Sequence, residues 1–311
     1  MLNALLILFL LAIVIAALPA IARGLRREMN AEQRANAPGQ FVDLTGGKTH
    51  FEWHGPPAGP VFVLVHGLTT PSFVFAAMIP TLTAAGYRVL TYDLFGRGYS
   101  DRPHGKQTAA FFTTQLCELL DSQMVQKPFA LLGYSMGGAI VSSFAHRFPE
   151  RLSHVVLLAP AGFKHDMPRM MQFIRDVPGV GDWLMTMFGG ARIRKAALAE
   201  NQGSAAIHDI GERIVRETRF RGYTRSVLSS LRNILNQPYA PLWRDMAAGT
   251  LPVLAIWGRE DLTIPIGAAD VLKLANEDVF HEIIDGADHT LAYSAAEDVT
   301  SAILTFTLAE E

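Results

Sequence analysis

The chain has 311 residues, of which 50% are hydrophobic and 18% charged, with a net charge of -2 and a pI near 6.6. That length makes one large domain or two small ones, the apolar content excludes disorder outside the ends, and the missing basic excess excludes a nucleic-acid surface. The single cysteine, Cys117, cannot form an intramolecular disulfide, and its apolar surroundings make it a small buried hydrophobe. There is no P-loop, no metal-ligand spacing of Cys or His, and no internal repeat.

Residues 4–22 carry no charged or polar side chain. At about 1.5 Å per residue, a helix here approaches the roughly 30 Å hydrocarbon layer of a bilayer. Arg23, Arg26 and Arg27 follow, and no charge precedes. The positive-inside rule then leaves the arginines and all that follows in the cytoplasm. The competing reading is a cleaved signal peptide, ending near Ala20-Ile21-Ala22, which would make the protein secreted or periplasmic. An n-region without Lys or Arg favours an uncleaved single-pass anchor over residues 1–27, followed by a polar linker over 28–40.

Two short strand-like runs, Phe41 to Leu44 and Thr49 to His54, flank Gly46-Gly47 and read as a hairpin. Val61 to Val65 is a β-branched apolar run suited to a strand buried on both faces. A helix is expected over Ser72 to Ala85, a strand over Tyr87 to Tyr92, a helix over Thr108 to Val125 and a strand over Phe129 to Leu132. A helix from Ala139 to Phe148 and a strand from Val155 to Leu158 continue the alternation, which argues for a mostly parallel sheet covered on both sides. Residues 161–249 break the pattern. They are rich in Met and Arg, look mostly helical, and read as a cap inserted between sheet strands. The Met residues serve either as plain core or as an adaptable acyl pocket. Strand, helix, strand and helix then run through Leu251 to Trp257, Ile266 to Ala275, Phe280 to Ile284 and Ala295 to Leu308. The expected core is 41–160 with 250–311.

Gly133-Tyr134-Ser135-Met136-Gly137 lies between a strand run and a helix run. A serine on a sharp strand-to-helix turn has a strained backbone and an exposed hydroxyl, and the helix N-terminus beneath it favours an oxyanion. Serine is a poor nucleophile without a base, and the base needs an orienting acid. Parallel strands open their C-terminal loops at one edge, where Asp261 and His289 follow two late strands. Among ten histidines, His50, His54, His104, His154, His165, His208 and His281 lie in turns, strand starts or the cap and read as surface or structural. His146 lies three turns along the helix after Ser135. His66 shapes a loop near the site. His289 alone follows the last strand and is the expected base. Glu260, Asp285 and Asp288 compete with Asp261 as the acid, but Asp288 adjoins His289 and points away. The backbone N–H groups of Met136 and Leu68 are the expected oxyanion donors. Asp93 and Arg97, in the turn that ends at Ser100, read as a local pair.

His66-Gly67, Asp93-x-x-Gly96-x-Gly98-x-Ser100, Gly133-x-Ser135-x-Gly137-Gly138, Gly258-x-x-Asp261 and Asp288-His289 occur in the order seen in α/β-hydrolases. From Val61 onward the chain resembles that superfamily, in particular its compact esterase and lipase-like members. The resemblance implies an α/β-hydrolase fold: an eight-stranded, mostly parallel sheet flanked by helices, with a helical cap after the sixth strand and no cofactor or metal. It implies a serine hydrolase with Ser135, His289 and Asp261 as the triad. Ser135 argues against dehalogenase and epoxide-hydrolase relatives, which use an Asp nucleophile. Thr290 departs from the Trp that often follows the catalytic His of carbon–carbon-bond hydrolases. With its anchor and Met- and Phe-rich cap, the chain is similar to membrane-bound monoacylglycerol lipases. The expected substrate is a small-molecule or lipid ester with an apolar acyl group. Carbon–carbon cleavage, cofactor-free perhydrolysis and a non-catalytic binding role are the alternatives.

Overall fold

The computed structural model describes residues 2–163, 167–200, 207–247 and 249–309. An apolar helix α1 (Leu2–Gly24) leads into a short helix α2 (Ala31–Arg34) and the hairpin β1 (Gln40–Leu44) and β2 (Gly47–His54). Then come β3 (Val61–Val65), α3 (Ile79–Ala84), β4 (Arg88–Tyr92), α4 (Ala109–Ser122), β5 (Phe129–Tyr134), α5 (Met136–Arg147) and β6 (Leu152–Leu158). Among the described residues, the α-helices α6 (Arg169–Asp176), α7 (Val180–Leu184), α8 (Gly190–Glu200), α9 (Ile210–Glu217) and α10 (Tyr223–Arg232) separate β6 from α11 (Ala240–Met246). The chain closes with β7 (Val253–Gly258), α12 (Gly267–Ala275), β8 (Phe280–Ile284), α13 (Leu291–Ser294) and α14 (Ala296–Ala309).

The eight strands form one sheet in the order β1-β2-β4-β3-β5-β6-β7-β8. The β1–β2 and β2–β4 pairs are antiparallel and every other pair is parallel. Every residue of β5 and β7 is buried, as expected of parallel strands covered on both faces. Alternate residues feed opposite layers. On β3, Val63 and Val65 join a layer with α4, α5 and α12, whereas Phe62 and Leu64 join a layer with α3 and α14. Each such side chain contributes roughly 1.5–3 kcal/mol on burial.

The expected helix over 72–85 is interrupted. A 3-10 turn spans Ser72–Phe75 and α3 starts only at Ile79, with Pro80 in its first turn. Pro lacks the N–H that would bond back to the preceding turn, so it opens a new helix rather than continuing one. The final expected helix, Ala295 to Leu308, forms as α14, and the short α13 precedes it. Within 161–249, α11 packs against α5 and α12, and its Trp243 is fully buried with Nε1 donating to Ser142 Oγ. The segment lying over the sheet edge is therefore α6 to α10.

Candidate active site

Ser135 follows β5 directly and precedes the first residue of α5. Its φ of 53° and ψ of -116° lie where side-chain-bearing residues are rarely found, at a cost of about 1–3 kcal/mol. The turn is held by Ser135 N–H donating to Leu158 O and by Gly138 N–H and Ala161 N–H donating to Ser135 O. Close approach demands glycine on either side. A Cβ at Gly133 would lie 2.4 Å from Gly137 O, and one at Gly137 would lie 2.1 Å from Val65 O.

The loops after β7 and β8 bring the other two groups to this point. His289 Nε2 is 2.9 Å from Ser135 Oγ, and His289 Nδ1 is 2.7 Å from Asp261 Oδ2. The remaining Asp261 oxygen, Oδ1, accepts from Thr263 N–H and Ile264 N–H, both at 2.7 Å. Buried and bonded this way, Asp261 is oriented from both sides. Tyr134 adds a support that its place in the motif does not signal: its hydroxyl donates to His289 O at 2.5 Å. The competing acids go elsewhere. Glu260 and Asp285 are exposed, Asp285 pairs with Arg259, and Asp288 accepts from Thr290 N–H and Oγ1. His165 lies outside the described residues.

The loop His66-Gly67-Leu68 lies against the serine, so that a Cβ on Gly67 would be 3.3 Å from Ser135 Cβ. Met136 N–H, at the first position of α5, has no helical acceptor. Buried His66 accepts from Leu94 N–H at Nε2, which leaves Nδ1–H to donate to Gly67 O. Burial pushes its pKa down to about 4, so His66 is a neutral structural brace and not a base.

Arg97 corrects the expectation of a local pair with Asp93. Its guanidinium is fully buried and donates to Leu68 O, Phe95 O, Gln107 Oε1 and, across to α10, Ser230 Oγ. Burial draws its pKa down to about 10. Arg97 thus pins the loop carrying Leu68 to the cap. Asp93 instead accepts from Ser72 N–H and Oγ, Tyr99 N–H and His50. Burial alone would raise the Asp93 pKa, but the His50 partner outweighs it and holds the carboxyl below the usual range. The turn is structural, as read, but its partners come from other elements.

A family model for the alpha/beta hydrolase fold matches residues 60–210. The magnesium-chelatase 30 kDa subunit of Rhodobacter capsulatus is 29% identical over 263 residues, covering 80% of this chain and 87% of that protein. An enol-lactonase from Burkholderia xenovorans superposes with a TM-score of 0.71 at 21% identity, over 86% of this chain and 100% of that one. A thermophilic esterase from Thermogutta terrifontis gives 0.67 at 22% identity, over 88% and 99%. These likenesses at low identity show the fold. The chain has the α/β-hydrolase fold, and the family-model match together with these neighbours supports a member of that superfamily.

Proposed function

We propose that this protein is a membrane-anchored serine hydrolase that cleaves carboxylic esters with apolar, lipid-derived acyl groups. The observation that carries this reading is the continuous Ser135–His289–Asp261 hydrogen-bond chain beneath a strained turn at a helix N-terminus. In the proposed mechanism, Ser135 Oγ attacks the ester carbonyl as its proton passes to His289 Nε2. Charge on the former carbonyl oxygen is met by the N–H groups of Met136 and Leu68, each such donor supplying about 3 kcal/mol. The imidazolium then protonates the departing alkoxide, leaving an acyl-serine and a free alcohol. Water, deprotonated by His289, attacks the acyl carbon, and Ser135 leaves with the proton restored.

The anchor and the cap support the substrate class. The most apolar 18-residue window within residues 3–24 has a mean hydropathy of 3.1 and is almost wholly exposed. Trp183 Nε1 of α7 donates to Ile15 O, within α1. The rise from Ala4 to Ile15 is only about 16 Å, short of a roughly 30 Å hydrocarbon layer. A spanning α1 therefore carries the cap face around Trp183 to about 12 Å beyond the level of Arg23, inside the hydrocarbon layer, where exposed Val180 and Phe188 meet lipid. Met167 and Met171 of the cap pack, as does Leu68 beside the site, against one buried cluster that includes Met185. The core role of Met185 is seen, and an acyl pocket formed by Met167 and Met171 is part of this proposal. Residues 1–27 are proposed as the anchor and 161–249 as the insertion bearing the cap, with the catalytic domain cytoplasmic.

A fluorescent fluorophosphonate tests the mechanism on membranes holding wild type or Ser135→Ala. Labelling lost in the variant supports an activated serine. Equal labelling of both refutes Ser135 as nucleophile. The relative named as a chelatase subunit keeps a non-catalytic reading open, and absence of labelling in either sample would favour it. Esters of rising chain length, assayed beside a dienoate and hydrogen peroxide, separate ester hydrolysis from carbon–carbon cleavage and perhydrolysis. A preference for short soluble esters would refute the lipid part.

A further inference from the structure

At the C-terminal end of α1 lies a cavity of about 870 Å³ that the proposed chemistry does not use. One wall is the end of the apolar helix itself, Ala20, Arg23 and Gly24, and the opposite wall is α10 of the cap. Five arginines line it: Arg23, Arg26, Arg102, Arg221 and Arg225. Three carboxylates, Glu28, Asp101 and Asp182, also line it, but each is engaged by an arginine. Glu28 pairs with Arg221, Asp101 with Arg34 and Asp182 with Arg232. Arg102 pairs with Glu217. Among the described residues, Arg23, Arg26 and Arg225 make no ion pair.

Two of those cations are held by neutral partners. Arg26 donates to Thr224 Oγ1 and Thr186 O, both at 2.6 Å. Arg225 donates to Arg102 O and Pro103 O and lies 2.6 Å from His104 Nδ1. Burial first, and then repulsion from Arg23 among others, lowers the pKa of both Arg26 and Arg225. A positive-inside signal needs only the arginines beside α1. It does not explain why the fold brings Arg225, about 200 residues later in the chain, to the same place, nor why Arg26 turns inward against the cap.

We propose that this cavity binds the phosphate of an anionic phospholipid headgroup. The level of the site selects a lipid over a free anion. From Ala4 to Arg23 a helix rises about 29 Å, close to the thickness of the hydrocarbon layer, so the guanidinium groups stand where lipid phosphates lie. A phosphate there accepts charge-assisted hydrogen bonds from Arg23 and Arg225, ties α1 to α10 and neutralises their mutual repulsion. The inference rests on the anchor reading of α1, and not on the identity of the ester.

The test uses full-length protein in detergent, incubated with equimolar phosphatidylglycerol and phosphatidylcholine of the same acyl chains and examined by native mass spectrometry. Wild type is expected to retain phosphatidylglycerol preferentially. Arg23→Gln and Arg225→Gln are each expected to weaken that retention about fivefold, the effect of one basic side chain near an anionic surface. Arg23 makes no side-chain bond among the described residues, so its substitution removes charge without removing a structural contact. Equal retention of both lipids by wild type overturns the proposal, as does undiminished retention by both variants. Excess inorganic phosphate that strips the lipid would show a free-anion site instead and also overturn it. Vesicle flotation of wild type tests the anchor separately.

Discussion

Ser135 carries a backbone conformation that costs stability, and the groups around it show what maintains it. Two flanking glycines, three backbone hydrogen bonds and a buried strand leave the residue no relaxed alternative. Substitution of Gly137 by Ala would drive a Cβ to 2.1 Å from Val65 O, against backbone that cannot move aside. That variant is expected to lose fluorophosphonate labelling and to melt at lower temperature, as circular dichroism would show. If Asp261 holds the His289 tautomer, Asp261→Asn lowers kcat on a p-nitrophenyl ester by about 10⁴-fold with the fold intact. An unchanged kcat would remove Asp261 from the triad. Ser135, His289 and Asp261 were legible because each follows a strand that the sequence marks clearly. Tyr134 was not, since nothing in a five-residue motif states that its hydroxyl reaches the His289 carbonyl.

At the scale of elements, the turn after β4 joins the sheet edge to the cap. Arg97 reaches Leu68 O on one side and Ser230 of α10 on the other. Glu217, at the end of α9, accepts from Gly98 N–H and pairs with Arg102. Arg97→Gln is expected to lower kcat by about 10²-fold through a misplaced oxyanion loop. Fluorophosphonate labelling should slow but persist, and a change in KM alone would contradict this positioning role. Burial raises the Glu217 pKa to about 7, against the opposing pull of Arg102. Between its ordinary value near 4.5 and about 7 the folded state holds more protons than the unfolded. Glu217 therefore contributes stability that is complete below that window and lost as pH rises through about 7. The melting temperature of Glu217→Gln should show a pH dependence between 5 and 7.5 weaker than wild type by on the order of a few °C. Identical profiles would contradict it.

For the whole molecule, α1 is a component of the fold as well as an apolar tail. Arg27 N–H donates to Arg219 O, Arg221 N–H donates to Arg27 O, and Trp183 bonds Ile15. Deletion of residues 1–22 keeps the Arg27 bridge while removing the proposed span. The truncated protein is expected to leave the membrane fraction and to retain its rate on soluble esters within a few-fold, while losing activity on monoacylglycerol held in vesicles. Equal activity of both forms on vesicle substrate would separate the anchor from catalysis.

The apolar runs, the glycine turns and the order of Ser135, Asp261 and His289 were enough to identify the α/β architecture and the loops where chemistry would gather. Hydrophobic periodicity and turn chemistry are local, and a parallel sheet converts strand order into a shared edge. Only the tertiary structure decided that Arg97 serves Leu68 and α10 rather than Asp93, that Asp93 belongs with His50 and Ser72, and that α11 packs with the core. It alone brought Arg23 and Arg225 to one cavity. Those outcomes depend on which buried polar group finds which partner across the fold. Burial makes every such partner obligatory, and the distance along the chain says nothing about which one it will be.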